Sequence, residues 1–443
     1  MLHAPILPML LRMGWPNMLM LLAQSGAALV ETWYISHLGT SALAGVALVT
    51  PLLMLMQNMS QGAMGGGISA AISRALGAGR QDMADQLVLH AVLINAALGL
   101  VFTAVFLLEG TRIYTLLGAS SGALDAALTY SDVLFGGLVL MWIMNALASV
   151  VRGTGNMLVP GAVICGGALL VVPVSPCLIF GLGPIPALGI AGGAWTLLAY
   201  FAGGTLVLGW YCLSGRNPAR LKPTAFQPTL LRQILAVGGL ATLNPLLTNG
   251  LIATTTALVG AYAGTAALAG YGTSARLEYL LMPIAFGLGA PMVALVGANI
   301  GANQPQRARQ AALSGGAIAF VLGEIVGLLA AFWPLAWLHL FGRDAGMEAS
   351  GSTYLHIVGP FYGFFAMGFS MYFASQGARR LVWPLLAGFV RLAVAVGGGW
   401  LVLRAGGGLA GLFTVNAVAM VLYGSIILRA VSARGWIRTR QSP

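Results

Sequence analysis

Between Asp85 and Glu109 no residue carries a charge. Roughly 20 apolar residues in a helix cross a hydrocarbon layer about 30 Å thick. Inside that layer a loop or an open strand would leave backbone N–H and C=O groups unsatisfied. The stretch is therefore read as a membrane-crossing helix, and it is one of many. Spans are expected at 8–34, 42–70, 85–108, 126–149, 158–181 and 187–213. After a polar break at Ser214–Gln227 they continue at 233–259, 266–297, 312–338, 353–375, 382–403 and 408–430. The predicted fold is an all-α integral membrane protein of twelve transmembrane helices. Composition agrees: 58% of the residues are hydrophobic, 7% are charged and the mean hydropathy is +0.89, whereas a soluble domain carries about 25% charged residues.

The net charge of +11 would fit a nucleic-acid partner, but its distribution excludes one. Arg74, Arg80, Arg152, the run from Arg216 to Arg232, Arg307, Arg309, Arg379, Arg380, Arg429 and the tail residues Arg434, Arg438 and Arg440 fall in alternate loops or at the C-terminus. The opposite loops hold Arg112, Arg343 and Arg404 beside Glu109, Asp125, Asp344 and Glu348. That bias is the positive-inside pattern and puts both termini in the cytoplasm, with anionic membrane lipid as the partner of the surplus charge. No basic region precedes the first apolar run, so no cleavable signal is expected. Cys165, Cys177 and Cys212 are read as small hydrophobes rather than a disulfide framework.

Three segments recur in order. Residues 38–45 (LGTSALAG) return at 263–270 (AGTAALAG), an offset of 264 − 39 = 225. Gly77-Ala78-Gly79-Arg80 returns as Gly301-Ala302-Asn303-Gln304, and Arg152-Gly153 through Pro160 as Gln376-Gly377 through Pro384, each offset by 224 (301 − 77; 384 − 160). Six spans per half give both halves the same orientation, hence two six-helix lobes related by a pseudo-two-fold along the membrane normal. The expected division is 1–213 for the first lobe, 214–228 for a cytoplasmic linker and 229–443 for the second lobe with a short basic tail. Transporters built this way carry substrate between repeated halves.

Glu31-Thr32-Trp33-Tyr34-Ile35-Ser36-His37-Leu38-Gly39, Gly77-Ala78-Gly79-Arg80, Arg152-Gly153-Thr154-Gly155-Asn156 and Leu178 through Pro184, with Ala269-Gly270-Tyr271 and Arg276-Leu277-Glu278-Tyr279-Leu280 in the second half, resemble the multidrug and toxic compound extrusion (MATE) family of bacterial type. The resemblance covers nearly the whole chain. It implies two six-helix lobes around a V-shaped cavity and drug efflux driven by inward H⁺ or Na⁺. The chain departs from the family pattern in three places. Glu31 stands where the first helix usually carries aspartate. Val171 to Ser175-Pro176 replaces an Asn-x-x-x-Asp-Pro stretch in the fifth helix. Asn249 and Phe369 stand where members with a cation site in the second lobe carry acids.

An ionisable residue in a span is costly and by default functional. Glu31 is the first candidate for proton coupling. Gln24, Glu31 and Tyr34 lie at i−7, i and i+3, on one helix face, and Pro16 below them cannot close its backbone bond and is read as a bend point. Glu31 is expected to take a proton from outside and release it to the cytoplasm, altering the bend of the first helix. Glu278 and Glu324 are weaker candidates; Arg391, also within a span, is read as a partner for Glu324, and a purely structural ion pair fits equally well. Gln57, Asn58 and Gln61 in the second span and Asn249 and Thr256 in the seventh are candidate cavity residues, for which helix–helix hydrogen bonding is the alternative.

Other chemistry falls away. Gly118-Ala119-Ser120-Ser121-Gly122 matches G-x-S-x-G but lacks the strand that a nucleophile elbow requires. Asn58-Met59-Ser60 lies inside a span, out of reach of glycosylation. The five histidines show no metal-ligand spacing, and no Walker A motif appears. Gly65-Gly66-Gly67 and Gly397-Gly398-Gly399 read as close helix contacts. The reading is therefore a non-enzymatic, monomeric, multi-pass protein of the bacterial inner membrane, without cofactor or metal. It exports amphipathic or cationic small molecules in exchange for H⁺, with Na⁺ coupling or a lipid-linked-precursor flippase as alternatives.

Overall fold

The computed structural model describes residues 1–119, 121–181, 186–433 and 436, and at 121, 279 and 280 the backbone alone. Ser120 of the G-x-S-x-G match, the Leu182-Gly183-Pro184 end of the family-like segment, the side chains of Tyr279 and Leu280, and the tail arginines 434, 438 and 440 lie outside the described residues.

No strand occurs among the described residues. The apolar spans became Ile6–Ser36, Thr40–Gly77, Gln81–Leu116, Leu158–Gly181, Ile190–Leu213, Pro305–Phe332, Ala345–Gly377, Val382–Arg404 and Gly408–Ser432, each close to its expected position. The fourth span is two helices, Gly122–Gly136 and Leu138–Gly153, bent by 47°. At the bend a Cβ on Gly137 would lie 2.4 Å from Leu198 Cδ2, so a side chain there would have to displace the Leu198 side chain of the sixth span. The seventh and eighth spans run together as Pro228–Gly301, 74 residues. As one straight helix this would measure about 110 Å, several times the hydrocarbon thickness. Gly264, at φ 76° and ψ −171°, breaks it, and the count is twelve.

The duplication is visible in the backbone. Gly39 (φ 110°) opens the second span, and Gly264, its counterpart in the second repeat, opens the eighth. Gly79 (φ 70°) corresponds in the same way to Asn303 (φ 55°), and Gly155 (φ 90°) to Arg379 (φ 55°). At the second pair both helix ends close alike: the next amide reaches back five residues, Arg80 N to Ala75 O at 2.9 Å and Gln304 N to Asn299 O at 2.7 Å. This is the αL helix-end motif that glycine favours and asparagine tolerates.

The chain forms two compact units, Met1–Met18 with Leu240–Pro443, and Leu19–Gly239. These cuts differ from the 1–213, 214–228 and 229–443 division read from the sequence, because each unit takes in half a helix from the other repeat. In the first unit Gly14 lies against Leu288, its Cβ position 3.3 Å from Leu288 Cδ2. In the second, Gly238 lies against Met64, its Cβ position 2.7 Å from Sδ. The two contacts are one contact repeated, since both partners are displaced by the repeat offset (238 − 14 = 224; 288 − 64 = 224). Gly67 packs harder still, with a Cβ there 2.8 Å from Gly238 N and Ile234 O. Apolar periodicity says how a helix is oriented toward its neighbours, not which neighbour each half meets.

The segments preceding the first and seventh helices are both tied down. Arg307 donates to the carbonyls of Met1 (3.4 Å) and Ala4. Segment 214–227 is irregular but is anchored to helix Gln81–Leu116 by Asp85, whose Oδ1 accepts from Arg220 N at 2.8 Å and whose Oδ2 lies 2.7 Å from Lys222 Nζ. His90, wholly buried, adds a bond from Gln227 N to its Nε2 at 2.8 Å.

Candidate functional site

Glu31 belongs to the part of the first helix that packs within unit Leu19–Gly239. The side chain is 5% exposed. Its Oε1 accepts a hydrogen bond from the Tyr130 hydroxyl at 3.1 Å. Room for the carboxyl comes from Gly193 of the sixth span, where a Cβ would sit 3.1 Å from the same oxygen. No lysine, arginine or histidine lies within ion-pair distance of Glu31 among the described residues. The carboxyl group is thus held by a neutral donor.

The rest of the expected face also points into this helix cluster. Gln24, half-buried, donates to the Tyr200 hydroxyl at 3.4 Å. The half-buried Tyr34 ring meets Phe180 edge-on, centroids 6.4 Å apart. Gln24, Glu31 and Tyr34 therefore reach the sixth, fourth and fifth spans respectively. Pro16 lies inside the unbroken helix Ile6–Ser36, just before the change of unit after Met18. Its neighbour Asn17 is fully buried and donates to Met13 O at 3.3 Å.

The amides of the second span do not line up as expected. Asn58–Met64 is wound as a π-helix, whose wider turn departs from the i, i+4 register that would stack Gln57 on Gln61 in an α-helix. Gln57 is half-buried and Asn58 exposed. Gln61 is buried, with Nε2 lacking a hydrogen-bond partner, and next to it Ser60 Oγ accepts from Asn145 Nδ2 at 3.1 Å. In the seventh span Asn249 and Thr256 donate to carbonyls of their own helix, Pro245 O and Ile252 O, at 2.8 and 2.7 Å.

Three charged residues differ from their expected settings. Arg391 is the ion-pair partner of Glu278, at 3.7 Å, and not of Glu324. Glu324 is half-buried and accepts from Gly363 N at 3.0 Å; the tight approach of Gly363 to the ninth span occupies it. Arg152, assigned to a loop by the charge pattern, is 2% exposed. It belongs to the last turn of Leu138–Gly153, where the helix C-terminus favours a cation, and its Nη2 reaches the first helix, 3.3 Å from Met20 Sδ.

Sequence reasoning missed Tyr130, Gly193 and Tyr200. The available signal was a tyrosine inside an apolar span: a buried phenol usually finds a hydrogen-bond partner.

The sequence pattern of MatE matches twice, at residues 16–177 and 241–401. This chain belongs to the MatE family. The starts of the two matches differ by the offset of the internal repeat (241 − 16 = 225). A protein of Shewanella oneidensis named FAD transporter is 28% identical over 82% of this chain and 80% of its own length. A probable multidrug resistance protein NorM of Thermotoga maritima is 23% identical over 87% of this chain and 83% of its own. Among solved structures, the outward-facing conformation of a multidrug resistance MATE family transporter matches with a TM-score of 0.83 at 22% identity, covering 96% of each chain. This MATE protein is a multi-pass membrane transporter of twelve helices in two lobes, and not an enzyme.

Proposed function

We propose that this MATE transporter exports small amphipathic compounds in exchange for protons, with Glu31 as the group that carries the proton. The carrying observation is the setting of Glu31: an acid within the first span, 5% exposed, bonded to the Tyr130 hydroxyl and free of any cation within ion-pair distance among the described residues. Gaining or losing a proton there breaks no ion pair and changes the charge of the helix cluster by one full unit, which is large in a medium of low dielectric. The helix that bears it also bears Pro16 at the change of unit, so a shift of the helix beyond Pro16 is the proposed link from proton to conformation. The charge bias between alternate loops supports cytoplasmic termini in a bacterial inner membrane, and the chain acts as a monomer.

A second substrate reading is a flavin dinucleotide, favoured by the 28% identity to the Shewanella FAD transporter. Proteoliposomes under imposed pH or Na⁺ gradients test both coupling and substrate. Efflux of dye or flavin driven by the pH gradient in wild type and abolished in Glu31→Gln supports the proposal. Efflux driven by Na⁺ alone, or undiminished by Glu31→Gln, overturns it.

A further inference from the structure

A second buried charge cluster lies within unit Met1–Met18 with Leu240–Pro443, and the proton mechanism does not use it. Arg391 of the eleventh span is 7% exposed. Its guanidinium lies over the ring of Phe365, 4.7 Å from the centroid, and beside Tyr423, at 5.6 Å. Glu278 is its one carboxylate partner among the described residues, and the pair is loose. Arg391 Nη2 stands 3.7 Å from Glu278 Oε2, whereas a charge-assisted N–H···O bond closes to about 2.7–2.9 Å. The other oxygen of Glu278 is taken by the Tyr354 hydroxyl. Glu278 is thus shared between two partners, and the phenol has the closer hold.

The guanidinium also borders a cleft, which it shares with Asn244, Thr248 and Tyr423. A buried ion pair is a poor source of stability, because desolvating the two ions offsets their attraction. A loosely paired arginine beside a cleft that Leu247, Leu251 and Leu392 line together with these polar groups has a better use. Its planar fork of donors matches the paired oxygens of a carboxylate or phosphate.

We propose that Arg391 is the anchor for an oxyanion group, carboxylate or phosphate, of the transported solute, and that this group competes with Glu278 for the guanidinium while Tyr354 retains Glu278. The proposal rests on the export reading and refines it: the second lobe selects solutes bearing a negative group, whereas Glu31 handles the proton in the first. Lobe selectivity of this kind makes an amphipathic anion a better substrate than its neutral analogue of the same shape.

Binding, measured by calorimetry on the full-length detergent-solubilised protein, tests the proposal without depending on transport. Phenyl phosphate, phenol and inorganic phosphate are the probes. The proposal expects phenyl phosphate to bind wild type and phenol to bind at least tenfold more weakly. It expects Arg391→Gln to lower the phenyl phosphate affinity at least tenfold, Arg391→Lys to keep part of it, and Glu278→Gln to raise it severalfold by removing the competitor. Inorganic phosphate that competes with phenyl phosphate supports a site for the anionic group itself. Equal binding of phenol and phenyl phosphate, wild-type affinity in Arg391→Gln, or a loss in Glu278→Gln matching that in Arg391→Gln would each overturn the proposal. Variants are compared only after eluting as wild type on size exclusion, and Arg391→Lys with Glu278→Gln suffices if Arg391→Gln does not fold. Because the readout is binding, failure of proton-driven export leaves it standing, and its own failure leaves Glu31 coupling untouched.

Discussion

Asn303 holds, at φ 55°, the left-handed helix-end position that Gly79 holds at φ 70° in the other repeat. A Cβ on Gly79 meets nothing within 4 Å, so the whole cost of a side chain there is backbone strain. Gly79→Ala is expected to destabilise the protein by about 1–2 kcal/mol. Asn303→Gly should be neutral to mildly stabilising, since asparagine already tolerates the conformation. Unfolding in mild denaturant, followed in detergent, ranks the three proteins, and an Ala variant as stable as wild type would contradict the strain account.

Glycines in the spans separate by what lies above them. A Cβ on Gly67 would come within 2.8 Å of backbone atoms of Ile234 and Gly238, which cannot rotate aside. Gly67→Ala is expected to cost about 1–3 kcal/mol as overpacking. Gly26 of the first helix has nothing within 4 Å, and Gly26→Ala should gain about 0.5–1 kcal/mol from helix propensity. The opposite signs, read as retained monomer after heating, are the check.

Asp85 is the anchor of segment 214–227, and its partners are unequal. Lys222 is half in solvent, its side chain 51% exposed against 4% for Asp85, so Lys222→Ala is expected to cost less than about 1 kcal/mol. Asp85→Ala also strands the Arg220 amide, bonded at 2.8 Å, and removes one of the two acceptors of Gln81 Nε2, at 3.1 Å, at about 1.5–3 kcal/mol per charged hydrogen bond. Trypsin reads the difference directly. Cleavage at Arg216 or Arg220 should accelerate several-fold in Asp85→Ala and little in a control that keeps Asp85. Equal cleavage rates would mean that the segment is held by other contacts.

Much of this architecture was legible in the sequence because a bilayer leaves a chain few options. The length and polarity of each stretch mark a span, and the repeat offset marks even the break at Gly264, whose counterpart Gly39 opens a helix. Glu31 was legible for the same reason: an acid in a span stands out against hydrocarbon. Its partners were not. Tyr130 lies on another span, far along the chain, and only packing joins them. Likewise Arg391 chose Glu278 over Glu324 because Gly363 lets the tenth span close on Glu324, a fact of helix contact that spacing along one helix does not carry. The division into units was not legible because it cuts through the first helix, whose apolar pattern continues on both sides of Met18.

Tyr130 and Gly193 allow the role of Glu31 to be tested without removing the acid. Tyr130→Phe deletes the hydroxyl that donates at 3.1 Å while keeping the ring, and the cost of a single hydrogen bond to a carboxyl group is about 1–3 kcal/mol. If Glu31 only braces the helices, that loss appears as instability, and efflux per folded molecule stays at the wild-type level. If Glu31 exchanges protons, the missing donor changes how readily the carboxyl gives one up, and the pH profile of efflux moves. Gly193→Ala sharpens the contrast, because its new Cβ would lie 3.1 Å from Glu31 Oε1 and displace the carboxyl group rather than delete a partner. The expected outcome is a shifted pH profile in Tyr130→Phe and a several-fold loss of efflux in Gly193→Ala, both at near-normal levels of folded protein in the membrane. Unshifted profiles in both variants would leave Glu31 as a structural residue and remove the basis for proton exchange at this site.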